Sequence, residues 1–132
     1  MIDLKNKKIW IFGVGLAGKW FSDNVNANVK GFIDNGVAKH NMTHNNLKVY
    51  SPLKASMLIE KNDLIVISVL DIQDVIPVIN NNFKNIEWLA MGKYLNNQKA
   101  INNFTNDTDE FLEYTLNAVE LCHKNYINNN IT

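Results

Sequence analysis

The sequence predicts an α/β fold, a doubly wound parallel sheet of about five strands in the order 3-2-1-4-5, followed by a carboxyl-terminal amphipathic helix. Three observations support this prediction. Short β-branched and aromatic runs alternate with segments of helical period. The strongest run, residues 63–69, is apolar without alternation, which is typical of a strand covered on both faces of a parallel sheet. Right-handed crossovers then give this strand order, with a crevice at the carboxyl ends of the first and fourth strands.

The predicted elements are ordered strand, helix, strand, loop, strand, helix, strand, helix, strand. The strands are predicted over residues 8–12, 29–33, 47–50, 63–69 and 86–90. One helix begins at Leu16, and Ser51 and Pro52 are the expected N-cap and first residue of a second helix that runs to about residue 60. Asp71 is expected to cap a third helix that runs to about residue 82, which Pro77 bends or shortens.

A glycine-rich loop joins the first strand to the first helix. Gly13, Gly15 and Gly18 have the G-x-G-x-x-G spacing, and Asp34 ends the second strand about 20 residues later. In this context Gly13 allows a tight turn, Gly15 lets the backbone approach a pyrophosphate, and Gly18 lets the helix lie close to the strand. Amide groups at the helix start attract phosphates, and Asp34 can accept hydrogen bonds from a ribose. The combination predicts a Rossmann-like nucleotide-binding domain.

The candidate ligand-binding residues follow the carboxyl ends of the predicted strands. They are Gly13, Gly15, Leu16, Ala17, Gly18, Lys19, Asp34, Asn35, Ser68 and Val69. The expected cofactor is NAD or a UDP-type nucleotide-sugar, and no metal is expected. The alternative is a glycine turn that serves packing alone and binds nothing.

Two other nucleotides are disfavoured at the same residues. Methyltransferases that bind S-adenosylmethionine commonly resemble an acidic-x-G-x-G-x-G pattern, whereas this chain has Ile11 at the acidic position and Ala17 in place of the third glycine. A dinucleotide with a 2′-phosphate would be repelled by Asp34, and no arginine follows that residue directly.

Three segments resemble the nucleotide-binding amino-terminal domain of proteins that handle nucleotide-activated sugars. They are IWIFGVGLAGKWF (9–21), VKGFIDNG (29–36) and LKVYSPLK (47–54). The similar groups are the CapD-like polysaccharide-biosynthesis epimerase/dehydratases and the sugar acetyltransferases with an amino-terminal Rossmann-like module. Those proteins show G-x-G-x-x-G-K, V-x-G-F-I-D-D and x-V-x-x-P elements in this order, and Asn35 replaces the second acid here. The resemblance implies NAD or a nucleotide-sugar as ligand but carries over no catalysis, because the hexapeptide repeats and second catalytic domain of those proteins have no counterpart in the sequence.

No catalytic residue is assigned from the sequence. Tyr50 and Lys54 match the Y-x-x-x-K spacing of short-chain dehydrogenases, but Pro52 between them disfavours a helix that carries both. His40 and His44 stand in a loop-like segment without a third ligand at metal-binding spacing, so we interpret them as solvated loop residues.

Composition limits the partners and the setting. The chain has 132 residues, 46% of them hydrophobic, which suits one compact domain. A formal net charge of zero gives no electrostatic reason to expect a nucleic acid or an anionic membrane as partner. The lone Cys122, the polar amino terminus and the absence of a long apolar stretch predict a soluble, cytoplasmic protein.

The predicted organisation is a nucleotide-binding domain over residues 1–91, an Asn-rich connector over 92–108 and a helix over 109–132. That helix is expected either to complete a layer of the sheet or to associate with a partner enzyme or a second copy. We predict a binding module that serves surface-polysaccharide or nucleotide-sugar biosynthesis within a larger enzyme or assembly and catalyses nothing alone. The alternatives are a small NAD-dependent oxidoreductase, an amino-terminal fragment or accessory domain of a larger enzyme such as a methyltransferase or radical-SAM fusion, and a non-binding scaffold.

Overall fold

The computed structural model describes residues 6–25, 27–69 and 72–90. Its strands are β1 (Lys8–Phe12), β2 (Asn28–Ile33), β3 (Thr43–His44), β4 (Leu47–Tyr50), β5 (Leu64–Ile67) and β6 (Glu87–Ala90). Its helices are α1 (Leu16–Asn24), α2 (Pro52–Leu58) and α3 (Ile76–Asn82), with short 3-10 helices at Val37–Lys39 and Ile72–Asp74. The predicted connector, the predicted carboxyl-terminal helix and Asp71 lie outside the described residues. Within these ranges, no helix has the length and apolar character needed to cross a membrane.

The six strands form one mixed sheet in the order β3-β4-β2-β1-β5-β6. The strands from β4 to β6 in that order are parallel to their neighbours, whereas β3 is antiparallel to β4. The five parallel strands therefore lie in the predicted relative order, with β2 and β4 on one side of β1 and with β5 and β6 on the other. The expectation of five strands in a parallel sheet was wrong, because β3 adds a sixth, antiparallel strand at the outer edge.

Strand β3 belongs to a hairpin with β4 that hydrophobic periodicity does not reveal. It has only two residues, both polar in character, and it is flanked by Asn41, Asn45 and Asn46, whose φ angles are 70°, 54° and 63°. Asparagine tolerates this left-handed region better than most residues, so it suits tight turns. His44 Nε2 lies 2.8 Å from Asp23 Oδ1 on α1, which ties the hairpin to the helix.

Strands β1 and β5 are neighbouring interior strands of the sheet and are buried on both faces. One face, which α1 covers, is built from Ile9, Ile11, Leu64 and Val66, and the other from Trp10, Phe12, Ile65 and Ile67, which pack with α2 and α3 residues. Each of these side chains is at most 5% exposed. The prediction that residues 63–69 contain a strand covered on both sides is confirmed, although the strand itself ends at Ile67.

Two proline-containing helix starts position α2 and α3. Ser51 Oγ accepts a hydrogen bond from Lys54 N at 3.1 Å, so Ser51 is the N-cap of α2 as predicted, although the helix ends at Leu58 rather than near residue 60. The single predicted helix over 71–82 is instead a 3-10 helix followed by α3. Pro77 lies in the first turn of α3, where its missing N–H leaves no bond unmade.

A buried polar network closes the amino end of the central strands. Asp63, which directly precedes β5, is 4% exposed. Its Oδ2 accepts hydrogen bonds from Trp10 Nε1 at 3.1 Å and from Glu60 N at 2.9 Å. Buried carboxylates are tolerated when such donors satisfy them, so this network is part of the core.

Candidate functional site

The glycine loop lies at the carboxyl end of β1, next to the ends of β2 and β5. Gly13 has φ +110°, a conformation that L side chains rarely adopt, and its N–H donates to Ile33 O at 2.7 Å. A Cβ on Gly13 would lie 2.6 Å from Ser68 Oγ. A Cβ on Gly18 would overlap Gly13 O and would lie 2.9 Å from Ser68 Oγ. The fold itself therefore requires glycine at these two positions.

Gly15 differs from the other two glycines of the loop. It is the N-cap of α1, with φ −80° and ψ −164°, which any residue can adopt. A Cβ on Gly15 would meet no atom within 4 Å, and the residue is exposed. Neither backbone conformation nor packing within the described residues explains why this position holds glycine.

The first turn of α1 presents backbone donors without a competing acid. Gly15 supplies no side-chain cap, and the first turn contains no acidic residue. Leu16 is 89% exposed at the helix start, Ala17 packs partly buried against the core, and Lys19 N donates to Gly15 O at 3.0 Å. A free helix start of this kind, with the positive end of the helix dipole, attracts anions.

Asp34 connects the glycine loop to the turn after β2. Its Oδ2 accepts from Val14 N at 3.1 Å, and its Oδ1 accepts from Gly36 N at 2.8 Å. Lys39 Nζ lies 3.9 Å from Oδ2, and the carboxylate side chain is 14% exposed. Each carboxylate oxygen keeps a further lone pair, so Asp34 can position the loop and still accept a hydroxyl from a ligand.

Ser68, directly after β5, contacts the backbone of the glycine loop through its hydroxyl. The residue is 5% exposed, and its hydroxyl lies 2.9 Å from Phe12 O and 3.1 Å from Gly13 O, to which it donates. Its backbone N–H also donates to Phe12 O at 2.9 Å. From its place at the end of the predicted fourth strand, we expected Ser68 to face the ligand. The structure directs its hydroxyl to the loop backbone instead.

A cavity of about 230 Å³ opens beside the loop, at the carboxyl ends of β1, β2 and β5. Its lining residues are Phe12, Asp34, Asn35, Val69, Asp74 and Val75. Phe12 and Val75 are at most 3% exposed and form an apolar floor, and Asn35 and Asp74 are exposed polar residues at the cavity. Ligand pockets for whole drug-sized molecules are about 300–1,000 Å³, so this cavity suits one base or sugar ring.

The structure thus brings the predicted loop residues, Asp34, Asn35 and Val69 to one edge of the sheet. Sequence reasoning missed Phe12, Asp74 and Val75 as cavity residues. Phe12 is the last residue of a predicted strand, and no spacing signal links residues 74 and 75 to the loop. Their place in the chain, directly after the loop that follows β5, could have suggested them once the strand order was known.

A second, larger cavity, of about 350 Å³, lies between the end of α3 and the amino end of β6. It is lined by Ile79, Asn80, Phe83, Lys84, Asn85, Ile86 and Trp88. None of the predicted binding residues reaches it. Since ligands of open α/β sheets bind beyond the carboxyl ends of the strands, we assign the candidate site to the smaller cavity despite its size.

Both histidines that we interpreted as solvated loop residues make hydrogen bonds, and His44 lies in strand β3. His40 Nε2 donates to Asp34 O at 2.7 Å, and His44 contacts Asp23 and the ring of Phe32. In the part of the chain that the structure describes, no three His, Cys, Asp or Glu side chains are grouped so that they could hold a metal ion.

Comparison with known proteins supports the fold. No protein-family model and no curated protein matches this sequence. The crystal structure of UDP-D-quinovosamine 4-dehydrogenase from Vibrio fischeri is similar, with a TM-score of 0.54 and 21% identity over 80% of this chain and 98% of that chain. RSP, a Rex-family repressor, has a TM-score of 0.53 at 13% identity over 83% of this chain and 63% of that one.

The complex of RSP with β-NAD⁺ and operator DNA has a TM-score of 0.52 at 12% identity, and it covers 83% of this chain and 61% of that one. This chain therefore spans about three fifths of the repressor's length. At such identities the likeness shows the fold alone. This chain has a Rossmann-like α/β fold.

Proposed function

We propose that this chain binds a nucleotide diphosphate, NAD or a UDP-type nucleotide-sugar, with the diphosphate over Gly15 and the start of α1. The base or the adjoining ribose occupies the cavity of about 230 Å³. Asp34 accepts a ribose hydroxyl through its remaining lone pairs. The chain acts as a binding module and contributes no catalytic group of its own.

One observation carries this proposal, namely the contrast among the three glycines of the loop. Gly13 and Gly18 are required by packing, because a Cβ on either would meet the loop backbone or Ser68. Gly15 has an ordinary backbone conformation and open space within 4 Å. A diphosphate that approaches the backbone at Gly15 explains the missing side chain, because a Cβ there would hold the phosphates away from the amide groups.

The charges around the site indicate how the ligand would be oriented. Among the described residues, the cavity is lined by two carboxylates, Asp34 and Asp74, and by no cationic side chain. Such a lining repels phosphates and suits a neutral ring with hydrogen-bond donors. The first turn of α1 has no acid and includes Lys19, so the phosphates lie there and the ring lies in the cavity.

The known proteins of this fold support the choice of ligand and of biological setting. RSP was solved with β-NAD⁺, and the Vibrio fischeri protein is a UDP-sugar dehydrogenase by name. The segments around the glycine loop and Asp34 resemble nucleotide-sugar-handling proteins. We therefore place this module in nucleotide-sugar or surface-polysaccharide biosynthesis, within a larger enzyme or assembly. A DNA-binding role for this chain has no support from its net charge of zero.

Titration calorimetry of the full chain with NAD and with UDP-glucose tests the proposal. We expect at least one of them to bind with micromolar affinity. In Gly15→Val we expect binding to weaken roughly tenfold or more, with the free energy of unfolding lowered by only about 1 kcal/mol, because valine is a poorer N-cap than glycine. Asn28→Val, an exposed change at the amino end of β2, should bind normally. Lack of heat with both nucleotides, or normal binding by Gly15→Val, would contradict the proposal.

A further inference from the structure

An asparagine followed by glycine lies at the edge of the cavity. Among the many asparagines of this chain, Asn35 alone precedes a glycine, Gly36. Asn35 is exposed, and within the described residues its side-chain amide makes no hydrogen bond. Glycine has no side chain to shield its peptide nitrogen, so the amide carbon of Asn35 and the nitrogen of Gly36 can approach each other.

A carboxylate already contacts that nitrogen. Gly36 N–H donates to Asp34 Oδ1 at 2.8 Å, whereas the other oxygen, Oδ2, accepts from Val14 N. A nucleophile and a base within about 2.6–3.2 Å of each other have the separation needed for proton transfer. Three consecutive residues therefore supply an electrophile, a nucleophile and a base.

We propose that Asn35 is a site of spontaneous deamidation assisted by Asp34. The Gly36 nitrogen attacks the side-chain carbonyl carbon of Asn35, and its proton passes to the Asp34 carboxylate. The new C–N bond closes a five-membered succinimide ring while the bond from that carbon to the side-chain nitrogen breaks. The nitrogen leaves as ammonia and takes the proton from Asp34. Water then opens the ring at either carbonyl and leaves aspartate or isoaspartate at position 35.

The modification changes the charge of the cavity. Asp34 and Asp74 already line it, and conversion of Asn35 adds a third carboxylate. Like charges in a partly buried cavity repel each other. An isoaspartate also inserts an extra carbon into the main chain, which displaces Gly36 N–H from Asp34. The isoaspartate form would therefore lose nucleotide affinity, but the modification itself does not require that a nucleotide binds.

Peptide mapping of the full chain, aged in neutral and mildly alkaline buffer without nucleotide, tests this inference. We expect the peptide that contains Asn35 to gain the mass difference between an amide and an acid, and to contain isoaspartate, before any other asparagine reacts. Gly36→Ala should slow the conversion, because the added methyl group shields the peptide nitrogen. Wild-type protein without conversion at Asn35, or with equal conversion at the other asparagines, would overturn the assignment.

The part played by Asp34 is tested by Asp34→Asn, which keeps an oxygen that can accept from Gly36 N–H but is not basic. We expect slower conversion at Asn35 in this variant than in the wild-type chain. An equal or faster rate would show that Asp34 does not act as the base. Because these measurements contain no nucleotide, their outcome is independent of whether the proposed nucleotide binding is correct.

Discussion

Two carboxylates at opposite ends of the sheet have similar bonds and different surroundings. Asp63, at the amino end of β5, is 4% exposed and accepts from an indole and a backbone amide. Asp34, at the carboxyl end of β2, also accepts two donors, both backbone amides, but it borders an open cavity. Hydrogen bonding alone therefore does not mark a carboxylate as a candidate ligand-binding group. Space for a ligand beside it is what separates the two.

The same contrast holds within the glycine loop. Gly18 is fixed by what surrounds it, as Asp63 is, whereas Gly15 faces open space, as the cavity side of Asp34 does. Residues of the first kind should show their effect in folding. Residues of the second kind should show it in ligand binding, because the fold makes no use of the feature they provide.

Gly18→Ala should have the largest effect on stability. At an unconstrained helical position this change stabilises a protein by about 1 kcal/mol. Here the new Cβ overlaps Gly13 O and crowds Ser68 Oγ, so we expect a loss of about 4 kcal/mol or failure to fold. Urea unfolding followed by circular dichroism measures it. A stabilised Gly18→Ala variant would show that the loop is not packed against α1 as described.

Asp63→Ala should have the second largest effect on stability. We expect the free energy of unfolding to fall by about 3 kcal/mol, because the change leaves the buried Trp10 Nε1–H and the Glu60 N–H without their acceptor. Asp63→Asn is the matched control. Both native bonds go to one oxygen, Oδ2, and the amide oxygen of asparagine can accept both. We expect Asp63→Asn to retain most of the stability in urea titrations. Equal losses in the two variants would mean that the charge, rather than the acceptor, matters at this end.

Ser68→Ala should have the smallest of these effects on stability, about 1–2 kcal/mol, because Phe12 O keeps its bond from the backbone N–H of residue 68. The Ser68 hydroxyl also fixes the position of the glycine loop through the carbonyl oxygens of Phe12 and Gly13. We therefore expect Ser68→Ala to bind ADP more weakly but to bind adenosine, which has no phosphate, as the wild type does. Thermal unfolding and calorimetry separate the two effects. Ser68→Cys, which keeps the size with a weaker donor, should fall between the wild type and Ser68→Ala. Equal losses for ADP and adenosine would contradict a role through the loop.

Much of the fold could be predicted because its pattern is local. The apolar run that forms β5 and the glycine loop before α1 each carry their signal within a few residues. The split between Ile72–Asp74 and α3 was not predicted, since one proline is compatible with either a bend or a new start. Strand β3 was not predicted for a different reason, because a strand of two polar residues has no detectable hydrophobic periodicity.

The site could be predicted only in part, because a cavity is a property of the tertiary structure. The spacing of the glycines and Asp34 identified one side of it. Asp74 and Val75 complete the other side through the strand order, about 40 residues away along the chain. Likewise, the direction of the Ser68 hydroxyl depends on carbonyls that are more than 50 residues distant in sequence.

The short hairpin of β3 and β4 also affects how the sheet meets its surroundings. An exposed edge strand presents unpaired N–H and C=O groups on which another chain can add, and proteins limit this hazard by keeping such strands short. Here the outer edge consists of Thr43–His44, which offers two residues of backbone and then turns away at Asn45. Contacts of His44 with Asp23 and of Asn45 with Ser22 hold the hairpin against α1. At this edge the hairpin therefore limits backbone pairing between the sheet and a strand of a neighbouring molecule.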